Sequence, residues 1–130
     1  MNTKKLGHHI ESLVQDYLCR QKLKRITRNF RCRFGEIDLI MKDKNVLVFI
    51  EVRYRQSLQF GNSLESIHTI KQTKIMKTAE YYLLSQRLSE KIACRFDVVG
   101  VKPITQKLLA VSKLDSAQVE WIKNAFLGKS

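Results

Sequence analysis

The chain has 130 residues, the size of one domain, and 44% of them are apolar, enough for a packed core. One Pro and five Gly exclude a disordered or linker-rich chain, so a single domain over 1–130 is expected. Twenty-four Lys and Arg against 12 Asp and Glu give a net charge of +12, which favours a polyanionic partner.

Ile10, Leu13, Val14, Tyr17 and Leu18 recur at helical spacing and predict a first helix over about 8–21, with His8 and His9 on a solvated edge. The stretch from Arg20 to Arg33 holds seven basic residues (Arg20, Lys22, Lys24, Arg25, Arg28, Arg31, Arg33) and no acidic one. Within it Ile26, Phe30, Cys32 and Phe34 alternate with polar positions, as in a half-buried strand. The other face, with Arg25, Thr27, Asn29, Arg31 and Arg33, is either a solvated face or a phosphate-facing one, and its like-sign density favours phosphate. A second strand follows at Glu36–Met41, then a turn at 42–45. The third strand, Val46–Tyr54, is apolar on both faces at its start, as a central strand is. A loop is expected over 56–63.

A long helix is predicted over about 68–87, with Ile70, Ile75, Ala79, Tyr82 and Leu83 inward and Lys71, Lys74 and Lys77 along one edge. Thr69 and Gln72 suggest a capping box at its start. Cys94–Val101 reads as a strand and Lys107–Ser112 as a short one. Asp115 or Ser116 would cap a last helix bearing Val119, Ile122 and Phe126, with Trp121 also in the core. A crossover helix between the third and fourth strands implies a mixed sheet with helices packed on it.

Some classes are set aside. Residues 1–9 lack an apolar signal region, and no apolar run is long enough to span a bilayer. A cytoplasmic location without a membrane partner is therefore expected. Cys19, Cys32 and Cys94 form no CxxC and fit reduced thiols, and His8, His9 and His68 are not at zinc-ligand spacing from them.

The chemistry concentrates on the second and third strands. A two-residue loop at Lys44-Asn45 makes Asp43 face Val46, which puts Asp38 opposite Glu51 and Glu36 opposite Arg53. Opposed residues share a face with Cβ atoms roughly 5 Å apart. Two adjacent carboxylates repel, and a divalent cation relieves that repulsion. Magnesium or manganese would take one or two carboxylates and keep other positions for water and phosphate. An ion-pair network in which Arg53 neutralises Glu36 and Glu51 explains the cluster equally well. Glu11, in line with Val14 and Leu18, lies where it can approach the sheet edge or simply remain solvated. Asp97, beside Arg95, reads as a structural ion-pair partner. Tyr54, Phe60, Tyr81 and Tyr82 are candidates to stack on unpaired bases, though buried packing explains most of them; Tyr54 and Phe60 lie beside the expected site.

Gly7 with Glu11, Asn29-Phe30-Arg31, Gly35-Glu36-Ile37-Asp38-Leu39-Ile40, Val48-Phe49-Ile50-Glu51-Val52-Arg53, Glu65-Ser66-Ile67 leading to Lys71, Arg95-Phe96-Asp97-Val98-Val99 and Asn124-Ala125-Phe126 occur in this order. In these stretches the chain resembles the YraN-type family of small bacterial proteins. That family is grouped with Holliday-junction-resolvase-like and other PD-(D/E)XK nuclease folds. The resemblance implies an α/β, restriction-endonuclease-like αβββαβ core, here with an extra short strand and a C-terminal helix. It implies Asp38 and Glu51 as metal-binding carboxylates and Glu11 as a helix carboxylate of the catalytic set. Arg53 would stand in the motif's lysine position, a departure, because arginine stays charged and is a poor general base. Lys71 would supply the missing amine.

The function expected is metal-dependent endonuclease action on structured or branched DNA, with Mg2+ or Mn2+ as cofactor. Catalysis would fall to Asp38, Glu51, Arg53 and Glu11. Arg25, Arg28, Arg31, Arg33, Arg55, Lys71 and Lys74 would hold the nucleic acid. A junction resolvase would also be expected to form a homodimer. The alternatives are a binding module that keeps the fold without cutting, and a protein-interaction domain with an incidental basic surface.

Overall fold

A computed structural model describes residues 3–54, 67–88, 91–104 and 107–126. Helix α1 (Thr3–Arg20) leads into strands β1 (Lys24–Cys32), β2 (Gly35–Asp43) and β3 (Val46–Tyr54). Helix α2 (Thr69–Ser85), strand β4 (Cys94–Val101) and strand β5 (Val119–Phe126) follow. Among the described residues these strands form one sheet in the order β1-β2-β3-β4-β5. Strands β3 and β4 are parallel and joined through α2, while the other neighbours are antiparallel. This is a mixed α+β architecture whose αβββαβ order matches a restriction-endonuclease-like core.

The two faces of the sheet are covered separately. Ile10, Leu13, Val14, Tyr17 and Leu18 of α1 pack on Leu39, Met41, Val48, Ile50, Val99 and Val101. Ile75, Ala79 and Tyr82 of α2 pack on Ile37, Ile40, Leu47, Phe49, Phe96 and Val98. Alternation along β3 sends Val48 and Ile50 to one core and Leu47 and Phe49 to the other, so the central strand is apolar on both sides. Each fully buried Val, Leu or Phe there contributes about 1.5–3 kcal/mol. Among the described residues no helix is long and apolar enough to cross a membrane.

The C-terminal third departs from the expected elements. The expected short strand at Lys107–Ser112 is instead a single 3-10 turn, Leu108–Ala110, which buries Leu108. The expected last helix is the strand β5. Asp115 does cap a turn, accepting from the Ala117 amide, but that turn covers only Ser116–Gln118. Burial on both faces explains why β5 mimics a helix, and the strand also carries a bulge. Its pairing with β4 shifts between Val98↔Ile122 and Phe96↔Phe126, and Asn124 takes φ 52°. Alternation sends Val119 and Trp121 to the α1 core and Ile122 and Phe126 to the α2 core, so the apolar positions of both faces together fall at helix-like intervals.

Smaller corrections have local causes. Ile26 sits at a bulge between Arg25 and Thr27 and is exposed instead of inward. Ile70 is 73% exposed, since it lies at the mouth of a cavity and not on the inward stripe of α2. The Thr69–Gln72 capping box is absent: His68 is the N-cap residue, and the Gln72 side chain donates to the Ile67 carbonyl instead. His9 shares a hydrogen bond with the Val111 carbonyl at 2.9 Å and is not simply solvated. The expected loop over 56–63, with Phe60, and the cationic Arg55 lie outside the described residues.

Candidate active site

The β2–β3 hairpin has the expected register. Asp43 faces Val46 across the two-residue loop, and Lys44 takes φ 56° to close it. Pairing runs to Leu39↔Ile50 and stops one step before Asp38 and Glu51. Beyond that step the Asp38 side chain replaces backbone pairing, and its Oδ2 accepts the Val52 N–H at 2.8 Å. The two carboxylates therefore stand where the strands part, on the wall of a cavity of about 520 Å³ beneath the start of α2. Gly35, Glu36, His68, Ile70, Lys71, Lys74 and Ile75 complete its lining.

Alternation in β2 reverses at Asp38. Ile37 and Leu39 would share a face in a regular strand, yet Ile37 packs in the α2 core and Leu39 in the α1 core. Strand β1 reverses at the matching point. Arg28 pairs with Leu39 and Phe30 with Ile37, and between them Asn29 takes φ 50°. Asn tolerates this left-handed conformation better than most residues. The reversal corrects the expectation that Glu36 faces Arg53. Glu36 is tied instead to Arg31, at 3.2 Å, and to Asn29.

Asn29 is a site residue that composition and alternation did not single out. Its Nδ2 donates to Glu11 Oε1 at 3.0 Å and to Glu36 Oε1 at 3.2 Å. Both partners accept only, which fixes the amide orientation. The signal for it was a residue depleted in strands sitting within one. Through this bridge Glu11 of α1 joins the carboxylates of the sheet, with Arg28 NH2 3.6 Å from it.

Glu51 is 5% exposed, and Lys71 Nζ lies 2.8 Å from its Oε1. Arg53 NH1 is more distant from the same oxygen, at 4.0 Å. Asp38 keeps some contact with the cavity, yet burial, then the charge of Glu51, pushes its carboxyl up to about 8. Glu11 adds to the rise, while the Val52 N–H and Lys71 oppose it. A cation would be drawn to such a pair. Asp38 and Glu51 offer the hard oxygen donors that magnesium or manganese prefers. Among the described residues no three His, Cys, Asp or Glu side chains gather as a metal-holding group, so a cation would rest on those two and on ligands from solvent or substrate.

A profile of the "Uncharacterised protein family UPF0102" matches residues 10–101, which include Glu11, Asn29, Asp38, Glu51 and Lys71. The chain belongs to the UPF0102 family. A UPF0102 protein of Coxiella burnetii is 44% identical over 123 residues, covering 95% of this chain and 92% of its own. One from Methylobacillus flagellatus is also 44% identical over 123 residues, covering 95% and 97%. One from Vibrio cholerae is 37% identical over 126 residues, covering 96% and 94%.

In this UPF0102 chain the basic stripe of β1 is partly engaged in holding α1. Arg25 bonds Asp16 at 2.6 Å, and Arg28 donates to Ser12 Oγ and the His8 carbonyl. Arg33 lies over the Phe34 ring, 4.8 Å from its centroid. Lys74 is exposed beside the cavity. Tyr54 packs against the α1 core, away from Glu51. Asp97 is buried and accepts from Arg95 Nε, Trp121 Nε1 and the Asn124 N–H, while Arg95 also meets Asp43 at 2.9 Å. It belongs to the scaffold.

Proposed function

We propose that this protein is a metal-dependent endonuclease acting on structured or branched DNA. The observation that carries the reading is the meeting of Asp38, Glu51 and Lys71 on one cavity wall, with Lys71 Nζ 2.8 Å from Glu51. Asp38 and Glu51 would hold magnesium or manganese. When bound, the ion would supply charge neutralisation at the phosphodiester and water activation at neutral pH.

The chain's own residues account for the rest. The Val52 N–H fixes the Asp38 carboxylate, and Lys71 fixes that of Glu51. Lys71 is the residue here suited to orient an attacking water or accept a proton from it, since Arg53 stays charged and serves only to offset developing negative charge. Glu11 extends the carboxylate array through Asn29. Lys74 lines the cavity, and the net charge of +12 favours the backbone of a nucleic acid.

A second reading, a nucleic-acid-binding module without turnover, is favoured by one observation: an arginine stands in the strand position next after Glu51 on its face. Labelled duplex, flap and four-way-junction DNA incubated with magnesium or manganese separates the two. Cutting that needs metal and vanishes in Asp38→Ala is expected. Tight, salt-sensitive binding with no cutting by the wild type would make the binding module the function.

A further inference from the structure

The β1–β2 hairpin tip and the second half of α2 share an aromatic cluster that reaches from the core to the surface. Tyr82 serves the core: it is 6% exposed and meets Phe30 edge-on at 5.0 Å and Phe49 at 6.1 Å. Its neighbour Tyr81 is 43% exposed. Tyr81 lies 6.3 Å from Phe30 at a tilt of 37°, and 6.4 Å from Phe34. Arg33 covers Phe34 on the same tip. An exposed ring backed by two others, one of them carrying a guanidinium, is a stacking platform with a cation on the same tip.

Its place in the fold connects it to the cavity. Phe34 precedes Gly35 and Glu36, which line the cavity, and a Cβ on Gly35 would come 3.3 Å from Thr78 Oγ1. The hairpin tip is thus seated on α2 at Thr78, between Lys74 and Tyr81. Lys71, Lys74, Thr78 and Tyr81 follow at helical spacing along one side of α2. At 1.5 Å per residue the run from Lys71 to Tyr81 spans about 15 Å. That is about four nucleotides at 3.4 Å each along a stacked strand.

We propose that Tyr81, backed by Phe30 and by Phe34 with Arg33 over it, stacks on an unpaired base of a nucleic-acid strand that passes the cavity. The inference deepens the nuclease reading in one respect. It rests on that reading for the distance of about four nucleotides between the stacked base and the phosphate at Asp38 and Glu51. Binding itself needs no metal. The ligand is a strand with unpaired bases, because a duplex keeps its base faces covered.

The test uses the full chain in EDTA, with labelled single-stranded, flap and duplex DNA of one sequence and 2-aminopurine placed at successive positions. Quenching of 2-aminopurine at one short run of unpaired positions is expected. Tyr81→Ala should weaken single-strand and flap binding about tenfold, the scale of one stacked base, and leave duplex binding unchanged. Tyr81→Phe should retain both binding and quenching, which keeps the test valid if the alanine variant unfolds. Equal loss on duplex and single strand, or quenching that survives Tyr81→Ala in a folded protein, would overturn the proposal. Absence of any binding in EDTA would overturn it too. A protein that never cuts DNA but shows Tyr81-dependent quenching would overturn the nuclease reading and leave this one standing.

Discussion

Lys71 Nζ lies 2.8 Å from Glu51 Oε1, which ties the first turn of α2 to the end of β3. A helix N-terminus disfavours an ammonium and attracts carboxylates, so Lys71 stands against the local dipole and is held there by Glu51. Lys71→Met should therefore act on both partners. Cleavage is expected to fall about a hundredfold or more, the scale of a lost proton-transfer group. Affinity for manganese is expected to rise, because Glu51 loses a competing cation. Calorimetric titration with manganese, run beside the cleavage assay, checks both. Undiminished cleavage would leave Lys71 as a counter-ion only.

The raised Asp38 carboxyl makes stability depend on pH with a defined sign. Its ordinary value is 3.8, and in the folded chain it reaches about 8. Between these values the folded protein holds a proton that the unfolded chain has released, so stability falls as pH rises through that window. In EDTA the Tm should decline between pH about 5 and about 8, and Asp38→Asn should remove part of that decline. The same variant should melt higher than the wild type at the alkaline end. Magnesium, if it replaces the proton, should raise the wild-type Tm more at the alkaline end than at the acidic one, and should not do so in Asp38→Asn. Melting curves that run parallel at every pH would contradict the assignment.

Local rules reached the middle of the chain and failed at its irregular points. The loop at Lys44-Asn45 set the hairpin register, and apolar residues on both faces at its start marked β3 as central. The reversal at Asn29 and Asp38 was not legible, because alternation assumes a regular strand and says nothing of a left-handed residue inside one. In β5 the residues buried on its two faces, Val119 on one and Ile122 and Phe126 on the other, fall at helix-like intervals and therefore read as a helix. The approach of Lys71 to Glu51 depends on how α2 docks, a tertiary fact that spacing does not encode. Glu11 and Asn29 met for the same reason, through the packing of α1 on the sheet.

Asn29 combines a backbone role and a side-chain role, and substitutions separate them. Asn29→Gly keeps access to φ 50° and loses only the amide bridge. Asn29→Ala loses both, with about 1 kcal/mol more lost from the strained backbone. Asn29→Asp keeps the shape but sets a third carboxylate against Glu11 and Glu36. The expected order of urea midpoints at neutral pH is wild type, then Gly, then Ala, with Asp lowest and recovering as pH falls. An Ala variant as stable as Gly would show that the left-handed backbone does not matter there.

Asp97 offers the contrast to Asp38: a carboxylate 1% exposed, whose neighbours all donate. Arg95 Nε, Trp121 Nε1 and the Asn124 N–H converge on its two oxygens, locking the bulge of β5 against β4. Asp97→Asn turns one acceptor into a donor facing donors and leaves Arg95 with less compensation. A loss of about 3–5 kcal/mol is expected, the scale of breaking a buried pair from one side. The loss should appear in the urea midpoint and in altered Trp121 fluorescence. Metal-dependent cleavage per folded molecule should survive, since Asp97 holds the scaffold and lies outside the cavity lined by Asp38 and Glu51. Cleavage abolished in a folded Asp97→Asn protein would instead bring Asp97 into the reacting set.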